Sequence, residues 1–180
     1  PLEIVQVTQT QILAKFDAIR QAEIAIAVPA TLNKVGSNNK WLAQALPELI
    51  ESELANTNYL LPVSYENARP GYSRKVNSQT TLAVAKQSQQ SPLVVSSQLL
   101  PAGKKHKGKV VLALRIHDGR SGKKLMAATD IVPIANVTEA VAHQVQKLTG
   151  GLLKKLMAHG TLKKLLPKPQ KNTPDLTQAQ

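Results

Sequence analysis

Residues 109–132 read KVVLALRIHDGRSGKKLMAATDIV, and the architecture turns on how they divide. In an extended chain Val110, Leu112, Leu114 and Ile116 share one face, while Val111, Ala113, Arg115 and His117 share the other. That period of two, in a run rich in β-branched residues, predicts a strand over 109–117. KLMAATDIV, 124–132, reads as its partner strand. Between them lies HDGRSGKK, 117–124, where two glycines, two lysines, an arginine and a serine invite comparison with a phosphate cradle. Such a cradle needs a helix amino terminus behind it to face the anion. Here strands flank the segment, and Asp118-Gly119 and Ser121-Gly122 are turn dipeptides. A hairpin connection is the expectation.

One step upstream, GKKHKGK (Gly103 to Lys109) also imitates a phosphate loop. It has Val110 where a Ser or Thr hydroxyl would be needed for Mg²⁺, and a strand where a helix should start. It reads as a basic hairpin loop joining SPLVVSSQLLP to KVVLALRIH, with Gly103 and Gly108 supplying the turn geometry.

The remaining elements follow from periodicity. QTQILAKFDAIR predicts a helix over 9–20 through Ile12, Leu13, Phe16 and Ile19, with Thr8 or Thr10 as cap. EIAIAVPA predicts a buried strand ended by Pro29, and NKVGSNN a loop. Residues 39–56 predict a helix lined by Leu42, Leu46, Leu49, Ile50 and Leu54, capped by Asn38 or Asn39. Pro47 should kink that helix or mark its true first turn. YLLPVS, 59–64, reads as a strand, with Pro62 pointing to an edge or an end. A loop over 67–78 and a weak helix over 80–90 come next. NVTEAVAHQVQKLTGGLLKKLMAHG predicts a long closing helix. Asn136 and Glu139 have capping-box spacing, Gly150-Gly151 should loosen it, and Gly160 should stop it.

The order α-β-α-β-α-β-β-β-α implies an α/β (α+β) domain. It has a mixed sheet of about five strands with helices packed on it, a closing hairpin meander and a C-terminal helix. The division reads as an N-terminal helix (1–20), the α/β domain (21–160) and a basic, then Pro/Gln/Thr-rich disordered tail (161–180).

Composition narrows the function. The chain has 180 residues, enough for one domain with a real core. Aromatics make up only 3%, so Leu, Ile, Val and Ala must fill that core. No apolar run approaches the roughly 18 residues of a membrane span. No signal peptide is visible, and Pro1 in place of Met points to a mature form or a cut piece. With no cysteine there is neither a disulfide scaffold nor a thiolate metal site. The net charge is +12, placed unevenly. Residues 1–100 hold eight Lys/Arg against seven Asp/Glu, and residues 101–180 hold fifteen against four. A basic half of this kind predicts an anionic neighbour; a solvated lysine surface is the alternative.

Catalytic chemistry finds little footing. His106, His117, His143 and His159 show no two-histidine metal spacing, and no carboxylate cluster accompanies them. Glu48, Glu51 and Glu53 read as the polar side of a helix. Ser96-Ser97 lacks the Gly-x-Ser-x-Gly setting of a hydrolase elbow. No cofactor is implied. KKLMAHGTLKKLLPK, 154–168, pairs lysines with leucines at helical spacing. It reads as a helix whose leucines pack on the sheet, with an anionic membrane surface as the competing reading. Nucleic acid is disfavoured, because few aromatics are present to stack bases.

Three segments together carry a resemblance: EIAIAVPA followed by WLAQALPELIESELANTNYLLPVS, then the hairpin from Ser91 to Asp130, then the closing helix. Over residues 22–159 the chain resembles the superfamily that contains the amino-terminal domain of TolB, CsgG, FlgO and LpoB. Asp118, Ser121 and Gly122 match the hairpin turn of that pattern, and Val94, Ser96 and Gln98 fall on the preceding strand. Ser96-Ser97 stands where glycine is usual. The resemblance implies a non-catalytic protein-interaction or assembly domain of the bacterial periplasm or outer membrane, the soluble part of a lipoprotein, with a protein partner and homo-oligomers in scope. An extracytoplasmic sensor module of a signalling protein and a binder of an anionic polymer are the alternatives. The anion- or partner-binding candidates are Lys104, Lys105, Lys107, Lys109, Arg120, Lys123 and Lys124, which the sequence suggests as one basic edge.

Overall fold

The computed structural model describes residues 2–158, with side chains from residue 10 onward. Helix α1 (Leu2–Ala22) leads into strand β1 (Ile24–Ala27) and a two-residue strand β2 (Leu32–Asn33). Helix α2 (Lys40–Ala55) leads to β3 (Leu60–Pro62), and helix α3 (Ser78–Gln87) to β4 (Leu93–Pro101). Strands β5 (Lys109–Asp118) and β6 (Lys124–Pro133) complete a meander before helix α4 (Val137–Ala158). The sheet order is β3-β1-β4-β5-β6, with β2 pairing the far end of β4. Pairing is parallel from β3 to β4 and antiparallel from β4 to β6. This is the mixed α/β sheet expected, with the meander and closing helix in place.

Handedness decides which face each helix covers. The connection β1-α2-β3 moves to one side of β1, and β3-α3-β4 moves back past it to the other. Parallel crossovers are right-handed, so the two helices must land on opposite faces. The core divides accordingly. Leu42, Leu46, Ile50 and Leu54 of α2 join Val141, Val145, Leu148 and Leu152 of α4 over Ile24, Ile26, Leu93, Leu112 and Leu114. On the opposite face Val84 and Ala85 of α3 pack with Tyr72, Val76, Ala27 and Val94. β4 lies between the layers and is buried on both sides from Leu93 to Leu99. Gln144 of α4 ties the long helix to the meander, donating to the Leu112 carbonyl at 3.1 Å and to Asp130 Oδ2 at 2.8 Å.

Several local expectations change. α1 runs from Leu2, so positions 8 and 10 fall within the helix and not at its start. α2 starts at Lys40 and runs on through a buried Pro47, which is therefore not in its first turn. An interior proline costs about 3 kcal/mol. Full burial of Leu42, Leu46, Ile50 and Leu54, at roughly 1.5–3 kcal/mol each, outweighs it. Asn39 occupies the α2 cap position without a side-chain bond. α4 is entered through a 3-10 turn, Ile134–Asn136, and the Asn136–Glu139 capping box does not form. The capping box stands instead at α3, where the Thr80 amide donates to Asn77 Oδ1 at 2.8 Å and the Asn77 amide to Thr80 Oγ1 at 3.0 Å. Gly150-Gly151 does not break α4. At Gly151 an added Cβ would lie 2.1 Å from the Met126 methyl, the free end of a flexible side chain that can turn aside. Gly160 and the 161–180 tail lie outside the described residues.

Candidate functional site

The lysine loop forms as expected, between antiparallel β4 and β5. Gly103 (φ +84°) and Gly108 (φ +73°) take the left-handed conformation that suits glycine. The amides of His106 and Lys109 donate to the Gly103 and His106 carbonyls, giving two successive turns. The Gly108 carbonyl accepts from the Ile134 amide, which anchors the loop to the start of α4. Lys104, Lys105, Lys107 and Lys109 are exposed and make no ion pair among the described residues. No helix starts behind the loop, which leaves no dipole to hold a nucleotide phosphate.

Arg120, Lys123 and Lys124 are exposed at the other end of β5. Ten residues of strand separate the two groups, about 30 Å at 3.3 Å per residue. The seven candidates therefore form two basic loops and not one continuous edge. Loops that flank a single strand must leave from its opposite ends, and adjacency in sequence hides this.

The HDGRSG turn is packed down tightly. Asp118 and Lys123 pair through the Asp118 amide, Gly122 donates to the Asp118 carbonyl, and Arg120 donates its amide to Asp118 Oδ1 at 2.8 Å. Gly119 donates to the Pro92 carbonyl at 2.8 Å. A Cβ at Gly119 would lie 1.9 Å from the Ser91 carbonyl oxygen, and one at Gly122 would lie 2.1 Å from that of Ser78. Both are backbone atoms that cannot swing away.

Beneath this turn is a pair that the sequence did not reveal. Ser96 Oγ lies 2.9 Å from His117 Nε2, and His117 Nδ1 lies 3.3 Å from the Gly122 carbonyl oxygen. A carbonyl can only accept, so Nδ1 carries the proton and Nε2 accepts from the serine hydroxyl. Burial holds the imidazole well below its ordinary pKa, at about 4. The spacing is that of a nucleophile and its base. Yet Ser96 is 0% exposed and His117 2%, and the third group is a peptide carbonyl where a triad has a carboxylate. The pair fastens the β5–β6 turn to β4. Only strand register could have announced it: Val94 faces His117 and Ser96 faces Arg115.

A second feature was also missed. α3 is ten residues long and covers the β1–β4 end of its face; farther across, that face stays buried at Ser96, Gln98 and Ala113 and becomes exposed on β6. Three cross-strand rows stand there: Leu100–Val111–Ile131, Gln98–Ala113–Thr129 and Ser96–Arg115–Ala127. Ile131 is 48% exposed, and Ala127 and Thr129 are exposed. The visible signal was Arg115 itself, a charge in the middle of an otherwise apolar strand. Elsewhere, Arg69 donates to Glu51 and the Val28 carbonyl, with its guanidinium 4.9 Å from the centre of the Tyr65 ring. It borders a groove of about 360 Å³ between β2 and α2, where Lys40 is the other cation. Among the described residues no three His, Asp or Glu side chains converge as a metal site would need.

No protein-family model and no curated protein matches the chain. Solved structures resemble it at the level of fold. TolB from Acinetobacter baumannii is 16% identical, with a TM-score of 0.48 over 72% of this chain and 28% of that one. A PelC dodecamer from Paraburkholderia phytofirmans is 12% identical, with a TM-score of 0.44 over 70% and 85%. The LpoB C-terminal domain from Salmonella enterica is 16% identical, with a TM-score of 0.46 over 62% and 83%. The present chain thus spans little more than a quarter of the TolB chain. No functional statement follows from likeness at this level.

Proposed function

We propose that this chain is a non-catalytic docking domain of the bacterial cell envelope, a protein-interaction or assembly component with an anionic partner. The reading rests on one observation. The β4–β5 hairpin carries Lys104, Lys105, Lys107 and Lys109 out on a loop with no acidic residue in it, and none of the four makes an ion pair among the described residues. Four cations on a backbone anchored by its own turns form an electrostatic footprint, because no described residue neutralises their charge. The envelope assignment comes from the sequence resemblance above.

In-cell photocrosslinking tests both parts. With a photoreactive residue at position 105 of the full-length gene product, crosslinks to a cell-envelope protein are expected, and the same residue at position 147 on α4 should give few. Crosslinks to cytoplasmic proteins alone would overturn the reading. An anionic envelope polymer is the second reading, favoured by the same lysine loop. In that case the chain should bind a model polyanion such as dextran sulfate. Affinity should fall steeply with salt, and a Lys104→Gln/Lys105→Gln/Lys107→Gln variant should flatten the slope by about the number of contacts removed.

A further inference from the structure

The meander ends in an open edge. β6 is ten residues long and stands last in the sheet, and no strand pairs its outer side among the described residues. The opposite edge is blunted, since β3 has three residues and ends on Pro62. β6 has no such protection along its middle. Asp130 is bonded to Gln144 on the helical side, and Lys155 of α4 donates to the Leu125 carbonyl near the strand's beginning. From Met126 to Pro133 the outer backbone makes no further hydrogen bond among the described residues. Beside this edge the face is exposed at Ala127, Thr129 and Ile131 of β6, with the half-buried Arg115 one strand in.

That charge has no counterpart. Among the described residues Arg115 makes no hydrogen bond and no ion pair, and the rows around it hold no carboxylate. It sits one strand in from the edge, directly across from Ala127. Neighbouring strands are about 4.8 Å apart, and a methyl side chain leaves the path over Ala127 open to a long guanidinium arm. Four residues along the same face of β6 is Ile131, in register with Val111 and Leu100.

We propose that β6 is a docking edge for an acidic, extended segment of another protein, which adds as the next strand of the sheet. The segment places an Asp or Glu opposite Ala127, within reach of Arg115. Four residues away, on the same face, an aliphatic side chain lies opposite Ile131 and extends the Leu100–Val111–Ile131 row. Main-chain hydrogen bonds supply affinity, and these alternate side chains supply selection. Charge favours an acidic partner over a second copy, because self-pairing would bring together chains of +12 each and offer Arg115 no carboxylate on that face. The inference deepens the reading of a protein-docking domain and rests on it, but uses a surface separate from the lysine loop.

The test is selection of a random peptide display library on the full chain at physiological salt, followed by synthesis of the enriched peptide. The expected motif has an acid and an aliphatic residue four apart. Binding should weaken about tenfold in Arg115→Ala and in Ile131→Asp. Hydrogen exchange along 126–133 should slow when the peptide is bound. Both variants must keep the parent's unfolding curve; Arg115→Gln and Ile131→Thr replace either that does not. Failure to enrich any binder, enrichment without acidic bias, or unchanged binding to Arg115→Ala would overturn the proposal. So would a concentration-dependent dimer of the parent chain that Ile131→Asp abolishes, since the second copy would then be the occupant. The Lys104→Gln/Lys105→Gln/Lys107→Gln variant separates the two surfaces. If it alone loses the peptide, the lysine loop stands as the docking site and this inference falls. If it keeps the peptide while Arg115→Ala loses it, the edge is the site.

Discussion

The two loops at the ends of β5 share a composition and little else. Each has two glycines and three or more cations. At the lysine loop Gly103 and Gly108 are needed for backbone direction alone, since nothing lies within 4 Å of where a Cβ would sit. At the opposite turn Gly119 and Gly122 are needed because other backbone occupies the space, and in Gly122 the φ of +74° adds to it. One loop is held away from the body and the other is locked onto it by Ser96, His117, Ser91 and Ser78. A glycine-rich basic stretch can therefore be a presented surface or a clasp, and the neighbours decide which.

The contrast can be broken most severely at the clasp. Gly119→Ala should destabilise the domain by roughly 3 kcal/mol or more, because the Ser91 carbonyl cannot yield without shifting β4. Gly103→Ala should cost about 1 kcal/mol, the ordinary penalty of a left-handed backbone. Chemical denaturation of both variants measures the difference, and equal losses would contradict it.

Acid should open the same clasp. The folded state holds His117 at about 4, below its ordinary 6.5, so on acidification the unfolded chain takes up the proton first. The contribution is intact above pH 6.5, shrinks as pH falls through that value, and reaches a full loss of about 3 kcal/mol below pH 4. The stability–pH curve of the parent chain minus that of His117→Gln isolates this step from the carboxylates. Ser96→Ala should be milder, about 1–2 kcal/mol, because Nε2 loses its donor while Nδ1 keeps the Gly122 carbonyl. The smallest effect belongs to the presented loop. Lys104→Gln/Lys105→Gln/Lys107→Gln should leave the unfolding free energy within about 0.5 kcal/mol.

Much of this fold was legible from local pattern. The alternation in KVVLALRIH, the β-branched run of EIAIA and the leucine stripe of 39–56 each name their element, because a half-buried surface imposes its period on the chain. Turn dipeptides placed the β5–β6 connection, and Gly103 and Gly108 placed the lysine loop. What stayed hidden depends on partners distant in sequence. β2 is two residues whose only reason to extend is pairing with Gln98 and Leu99. Asn77 caps α3 while Asn136, with the better-looking spacing, does not, since the chain reaches α4 through a 3-10 turn. Ser96 meets His117 by register, and a slip of one residue would have given each another neighbour. The lysine clusters were visible as composition, but their separation was not, because a count of charges carries no direction.

That separation turns β5 into a ruler. Its ten residues hold the two cationic loops about 30 Å apart, several screening lengths at physiological salt, so each loop meets a small anion independently of the other. A ligand shorter than the strand engages one loop and gains nothing from the second. A flexible polyanion longer than the strand can hold both, and its second contact forms at a high effective concentration. The chain should therefore discriminate anionic ligands by contour length, with a step in avidity where the ligand first spans the strand.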